Sequence, residues 1–181
     1  MHTSKRHIML GMLTPLLLAV TAGSARADNQ ALFVTQVGSY NVVRAAQTGN
    51  SNTATIAQNT SYNDANVTQT GTGNQLLVRQ GVGNYNRAVM TQNGTYNNAT
   101  QLQNGANNYA TLTQTGNSNY AYQVQNGNNN SISVQQLGNG NYSVDTQNGN
   151  NNSIVKTQTG NNHTSTVTQN GNNMSITINQ L

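Results

Sequence analysis

The chain has no cysteine, no tryptophan and no glutamate. Without cysteine it can hold neither a disulfide framework nor a thiolate metal site. Its one proline is Pro15. Only 6% of the 181 residues are charged and 34% are hydrophobic, whereas an average soluble domain is roughly a quarter charged and nearly half apolar. A conventional core is not expected. Disorder is not expected either, because disordered chains pair low hydrophobicity with high net charge. The formal +4 is concentrated at the start, in Lys5, Arg6 and Arg26. Beyond residue 27, Arg44, Arg79, Arg87 and Lys156 face Asp28, Asp64 and Asp145, a balance of +1. These cations are scattered singly, so counterion release from nucleic acid has no basic patch to act through. Nor do three aspartates and His163 form a pair of carboxylates, a nucleophile with its base, or a metal-ligand cluster. No enzyme activity and no cofactor are expected.

What remains is Asn, Gln, Thr, Ser and Gly, with eight Tyr. Amide-rich, uncharged tracts of this kind are prone to β-aggregation. Ahead of them, Lys5-Arg6-His7, the apolar run Ile8–Val20 and Ser24-Ala25-Arg26-Ala27 have the three-part form of a secretory signal peptide. The run is too short to span roughly 30 Å of hydrocarbon as a helix, and Pro15 interrupts it. The expected division is 1–27 signal peptide and 28–181 mature chain, with no transmembrane span.

The mature part is periodic. Gln stands at Gln36, Gln47, Gln58, Gln69, Gln80, Gln92, Gln103, Gln114, Gln125, Gln136, Gln147, Gln158, Gln169 and Gln180. Every interval is 11 residues except Gln80 to Gln92, which is 12. Glycine follows at offset two in Gly38, Gly49, Gly71, Gly94, Gly105, Gly116, Gly127, Gly138, Gly149, Gly160 and Gly171, and after the insertion in Gly83. Asparagine follows at offset five in Asn41, Asn52, Asn63, Asn74, Asn97, Asn108, Asn119, Asn130, Asn141 and Asn152, with Asn86 after the insertion. Thr60 replaces a Gly, and His163 and Met174 replace an Asn. Gln30, Leu32 and Val34 supply a further unit, which makes 14 half-repeats.

Offsets five, seven, nine and eleven are two apart, so those side chains share one face of a strand. Each half-repeat predicts a strand, Asn-x-Ala-x-Val-x-Gln, and a turn of four residues around the Gly. Two half-repeats close a flattened coil of 22 residues. The expected fold is an all-β β-solenoid of about seven two-stranded coils, stacked at about 4.8 Å per layer as in cross-β amyloid. Buried amides without partners are costly. Stacked at a fixed period, each can donate to one neighbour and accept from the other, so the Gln and Asn columns are the expected fibre-core ladders and the Gly column the expected turns. Soluble solenoids carry polar caps. The repeat here runs from just after residue 27 to Gln180 without an evident one, and an open strand edge is a template for another chain.

The unit Q-x-G-x-x-N-x-A-x-x-x-Q, seen at Gln47–Gln58 and Gln103–Gln114, resembles the curlin repeat of the curli subunit family. The resemblance covers nearly all of 28–181. It implies an amyloid β-solenoid fibre, secreted to the bacterial surface and serving in biofilm matrix, adhesion and cell aggregation. The partners it implies are further copies of the same chain, a nucleating minor subunit, and an outer-membrane export pore with its accessory proteins. The expected role is the major, structural subunit. The nucleating minor subunit is the first alternative, and a soluble surface- or ice-binding solenoid the second.

Two residues break the pattern. Asp145 and Lys156 stand at offset nine of consecutive units and should face inward, with Gln101 and Gln123 preceding Asp145 in one column. Either they pair across one coil, or the strands shift locally so that the adjacent Val144 and Val155 face inward instead.

Overall fold

The computed structural model describes residues 7–13 and 29–181. Most of the expected leader, 1–6 and 14–27, lies outside the described residues, as does Asp28. The first strand, β1 (His7–Leu13), falls within it. The repeat then forms β2 (Ala31–Val37), β3 (Val42–Asn50), β4 (Thr53–Gln58), β5 (Asp64–Thr72), β6 (Gln75–Val82), β7 (Arg87–Thr95) and β8 (Asn98–Asn104). It continues through β9 (Tyr109–Asn117), β10 (Tyr120–Asn126), β11 (Ser131–Leu137), β12 (Tyr142–Asn148), β13 (Ser153–Thr159), β14 (Thr164–Asn170) and β15 (Ser175–Gln180). No helix is described.

The strands fall into two parallel sheets. One runs β1-β2-β4-β6-β8-β10-β12-β14 and the other β3-β5-β7-β9-β11-β13-β15. Consecutive strands of the repeat therefore sit in opposite sheets, and each strand pairs with the one two places on. That is a solenoid of seven coils, as the period of 22 predicts. Register is kept throughout: Gln103 pairs Gln125, Gln125 pairs Gln147 and Gln147 pairs Gln169. The extra residue after Gln80 is absorbed as an irregularity between Gln80 and Val82, after which the register resumes. Among the described residues, β1 lies parallel on β2, His7 opposite Ala31 and Leu13 opposite Val37.

Alternation along each strand makes the interior. In β9, Ala110, Leu112 and Gln114 are buried while Tyr109, Thr111 and Thr113 are not. The apolar part of the core is thin, made of columns such as Leu32, Ala54, Leu76, Ala99 and Ala121 in one sheet and Val67, Met90, Leu112 and Val134 in the other. Small and branched side chains at these offsets let two sheets approach while amides fill the ends of each strand.

The turns differ from expectation in one respect. The sequence places a turn of four residues around each Gly. In β3, β5, β7 and β9 the ladder instead continues through the glycine, so that Gly49, Gly71, Gly94 and Gly116 pair with one another. A second left-handed residue follows at offset four, where Tyr, Ser, Asn or Gly stands. Asn is the natural non-glycine occupant of that region, and Asn107, Asn129, Asn151 and Asn173 form the far part of one such column.

Candidate functional site

The inward Gln side chains form two continuous ladders. In one sheet Gln36 Nε2 donates to Gln58 Oε1 at 2.6 Å, and the chain of bonds runs on through Gln80, Gln103, Gln125 and Gln147 to Gln169. In the other, Gln47 Nε2 donates to Gln69 Oε1 at 2.7 Å, and the chain runs through Gln92, Gln114, Gln136 and Gln158 to Gln180. Every bond points the same way, from the earlier layer to the later. From Gln47 onward, the second hydrogen of each amide crosses the core. Gln114 Nε2 also reaches Asn98 O at 3.1 Å, and Gln136 Nε2 reaches Tyr120 O at 2.9 Å. One amide thus ties its layer to the next and one sheet to the other. All these Gln are buried except Gln47 and Gln180, which are half-buried.

The Asn column works differently. Each Asn Oδ1 accepts the backbone N–H of the corresponding residue one layer on, as Asn97 does from Asn119 at 3.0 Å and Asn130 from Asn152 at 3.0 Å. Except at Asn41 and Asn63, its Nδ2 donates to a glycine carbonyl in the next turn, as Asn119 does to Gly138 O and Asn141 to Gly160 O; Asn41 Nδ2 reaches Val37 O instead. Side-chain to side-chain bonds occur only in part of one column, from Asn74 to Asn52, Asn97 to Asn74 and Asn119 to Asn97. Asn therefore locks turns, and Gln carries the true amide ladder. His163 and Met174 keep the backbone half of the arrangement, since their N–H groups still donate to Asn141 and Asn152. At Thr60, where Gly is missing, the hydroxyl accepts from Asn63 Nδ2 at 2.9 Å and donates to Gly83 O.

Sequence reasoning missed a second, exposed set of ladders. Asn128 Nδ2 donates to Asn150 Oδ1, and Asn150 to Asn172. Asn117 likewise donates to Asn139, and Asn139 to Asn161. The signal was present as Asn one place after the turn Gly, but exposure hid it among composition.

Asp145 and Lys156 both face inward, while Val155 is exposed. Lys156 Nζ lies 2.6 Å from Asp145 Oδ1, with both side chains wholly buried. Ser143 joins them: its hydroxyl donates to Asp145 Oδ2 at 2.7 Å and accepts from Lys156 Nζ at 3.1 Å. Asp145 Oδ1 is engaged by proximity of charge, since no donor is aimed at it with hydrogen-bond geometry. Burial pushes the Asp145 carboxyl above its ordinary range, and the close Lys156 charge and the bond from Ser143 only partly offset this. Burial likewise lowers Lys156, against the opposing pull of Asp145.

Gln101 and Gln123 stack in register above Asp145, yet they do not ladder. Each donates across the core, Gln101 to Ala110 O at 3.4 Å and Gln123 to Thr111 O at 3.0 Å, and each buried Oε1 is left without a partner. At offset nine the side chain is held by different neighbours from those at offset eleven. The other positions of this column are Val34, Ile56, Val78 and Val167. The double substitution Gln101→Val and Gln123→Val is therefore expected to stabilise the fold. The gain should be about 1–3 kcal/mol per relieved amide oxygen, read as a higher guanidinium midpoint.

Among the described residues no group of His and Asp could hold a metal ion, and no helix is long and apolar enough to cross a membrane. On the outer face, Arg44 pairs with Asp64 at 2.8 Å, and Arg87 lies 3.7 Å from the same carboxylate. Exposed pairs of this kind contribute little, about 0–1 kcal/mol.

The family model of the curlin associated repeat matches residues 28–59, 61–94, 83–116 and 105–138, together more than half of the 181 residues. Beyond 138 the same register continues in β12 to β15. Comparison with curated proteins and with solved structures returned no match. The matched repeats and the ladder-bonded solenoid they form agree, and the chain belongs to the curlin associated repeat family of structural, curli-type amyloid subunits.

Proposed function

We propose that the protein is the major subunit of an extracellular curli-type fibre, exported after removal of residues 1–27 and polymerising head to tail into biofilm matrix. The observation that carries this is the single direction of the Gln ladders. Every Gln–Gln bond is donated from the earlier layer to the later one. A stack of this kind has an acceptor face and a donor face. Gln36 Oε1, on the acceptor face, is buried and has no partner among the described residues. A second copy stacked in the same sense would donate to it, and one stacked in the opposite sense would not. Such a contact does not close on itself, so it makes a filament. Loss of the leader, β1 included, would uncover the edge of β2 that the filament needs.

Seeding separates the major role from the nucleating one. Purified protein should polymerise after a lag that its own preformed fibres abolish, and it should form the bulk of each fibre. If trace amounts instead abolish the lag of a separate curlin-repeat subunit while the protein itself stays confined to fibre ends, the nucleating role is correct.

A further inference from the structure

Four of the eight tyrosines, Tyr40, Tyr62, Tyr85 and Tyr96, stand where the backbone is left-handed. Tyr40, Tyr62 and Tyr85 occupy successive layers of one turn column with φ of 58°, 61° and 62°. A bulky residue is uncommon there, and the same column reverts to Asn107, Asn129 and Asn151 in later layers. The three rings are stacked, Tyr40 on Tyr62 at 4.8 Å and 10° and Tyr62 on Tyr85 at 4.9 Å and 19°. They are also open to solvent, 62%, 44% and 58% exposed. A second stack joins Tyr120 and Tyr142 at 4.9 Å and 9° on the face of the sheet. The sheet repeat sets this spacing, so the phenols are held nearly parallel in adjacent layers without any further device.

We propose that these stacks are sites of oxidative cross-linking, in which tyrosines of adjacent layers couple to dityrosine when hydrogen peroxide and a haem peroxidase are supplied. Each phenol loses one electron and its hydroxyl proton to give a phenoxyl radical. Two radicals in a stack join through the ring carbons ortho to oxygen. Each ring then passes its ortho hydrogen to oxygen and recovers its phenol. One new C–C bond forms, two C–H bonds are lost, and the two hydrogen atoms reduce one peroxide to two waters. Such bonds would staple three layers in the Tyr40–Tyr62–Tyr85 column and two in the other, layers that hydrogen bonds otherwise hold reversibly. Both partners lie in one chain, so the reaction does not depend on polymerisation.

Tyr96 separates stacking from mere exposure. It is the most exposed tyrosine at 67%, but it lies against Gly73. Tyr109 lies under the Arg87 guanidinium, and Tyr122 pairs with Thr100 and Val144. Among the described residues none of these three has a ring stacked on it.

The test is to treat the purified protein with peroxide and a haem peroxidase, measure dityrosine fluorescence, and map cross-linked peptides by mass. The expected map joins Tyr40 to Tyr62, Tyr62 to Tyr85 and Tyr120 to Tyr142, each with the loss of two hydrogen atoms. Tyr62→Phe should reduce the yield to that of the Tyr120–Tyr142 pair, because Tyr40 and Tyr85 are then two layers apart. Tyr96→Phe should leave the yield unchanged. Absence of dityrosine, cross-links dominated by Tyr96, or an undiminished yield in Tyr62→Phe would overturn the proposal.

Discussion

Replacing Lys156 by Met is expected to cost about 3–5 kcal/mol, because it leaves Asp145 as an uncompensated buried charge. The triple substitution Ser143→Ala, Asp145→Val and Lys156→Met should instead be neutral or stabilising by about 1–4 kcal/mol. Val and Met are the residues the two columns already use, in Val167 and Met90. Ser143 has to be included because its hydroxyl donates to Asp145 and accepts from Lys156. Left alone, it would become an unpaired buried donor. No other charged side chain is buried among the described residues. Around the pair stand Gln123 and Val167 in one sheet and Val134 and Ile178 in the other.

The same pair sets a pH dependence. The folded-state pKa of Asp145 is raised, burial being the largest cause. Its contribution is therefore most favourable below the ordinary value of 3.8 and is lost as pH rises through the raised value. The folded-state pKa of Lys156 is lowered, again chiefly by burial. Its contribution is most favourable above the ordinary 10.5 and is lost as pH falls through the lowered value. Between the two shifted values both groups are charged and both contributions are absent. The advantage of the triple variant should then be greatest between those two values, and shrink as pH falls through the raised Asp145 value or rises through the lowered Lys156 value. Guanidinium midpoints of wild type and triple variant across pH read this directly. An advantage that grew toward either extreme would contradict the burial account.

The second large effect is expected at Gly94→Ala. Gly94 has φ of +131°, and a Cβ there would stand 2.8 Å from the Gly116 carbonyl carbon and closer still to its oxygen. The obstacle is the backbone of the next layer, which cannot swing aside as a side chain can. Strain at such a φ costs about 1–3 kcal/mol, and forcing a methyl into a packed ladder costs about 1–3 kcal/mol more. Separating the layers would also disturb the carbonyls that Asn74 and Asn97 bond in the turns, Gly94 O and Gly116 O. Gly171→Ala is the internal comparison. Its φ is +141°, but the nearest atom is Met174 Sδ at 3.4 Å. It should retain the strain and lose the clash, so its midpoint should fall by clearly less. Equal losses would mean that the glycine column is set by φ alone and not by close approach of layers.

The fold was legible because one physical rule governs nearly every residue. Period two within a strand and period 11 between strands place Asn, Ala, Val and Gln inward, and stacking then demands partners for the amides. Gln36 to Gln180 could be placed in ladders from spacing alone. The division of labour between Gln and Asn could not. It depends on reach: the longer Gln side chain spans both to the next layer and across the core, whereas Asn sits at the strand start and meets the turn backbone. The fate of Gln101 and Gln123 was equally hidden. They share the residue type of the ladder but not its offset, and at offset nine their amides turn to Ala110 and Thr111. Asp145 and Lys156 left two arrangements open in the sequence, since Val144 and Val155 flank them and a shift by one residue reverses a strand's faces. The unbroken pairing of β12 with β10 and of β13 with β11 closes off that shift. The Tyr40–Tyr62–Tyr85 stack is a consequence of the turn column at offset four, which has no fixed residue type to announce it.

Fibre diffraction from the purified protein, incubated until electron microscopy shows no further change, tests the central claim most directly. Directional amide ladders continued from copy to copy predict unbranched fibrils with a meridional reflection near ~4.8 Å, the strand spacing along a stack. A protein that stays a soluble monomer, or that forms aggregates without that reflection, would contradict it.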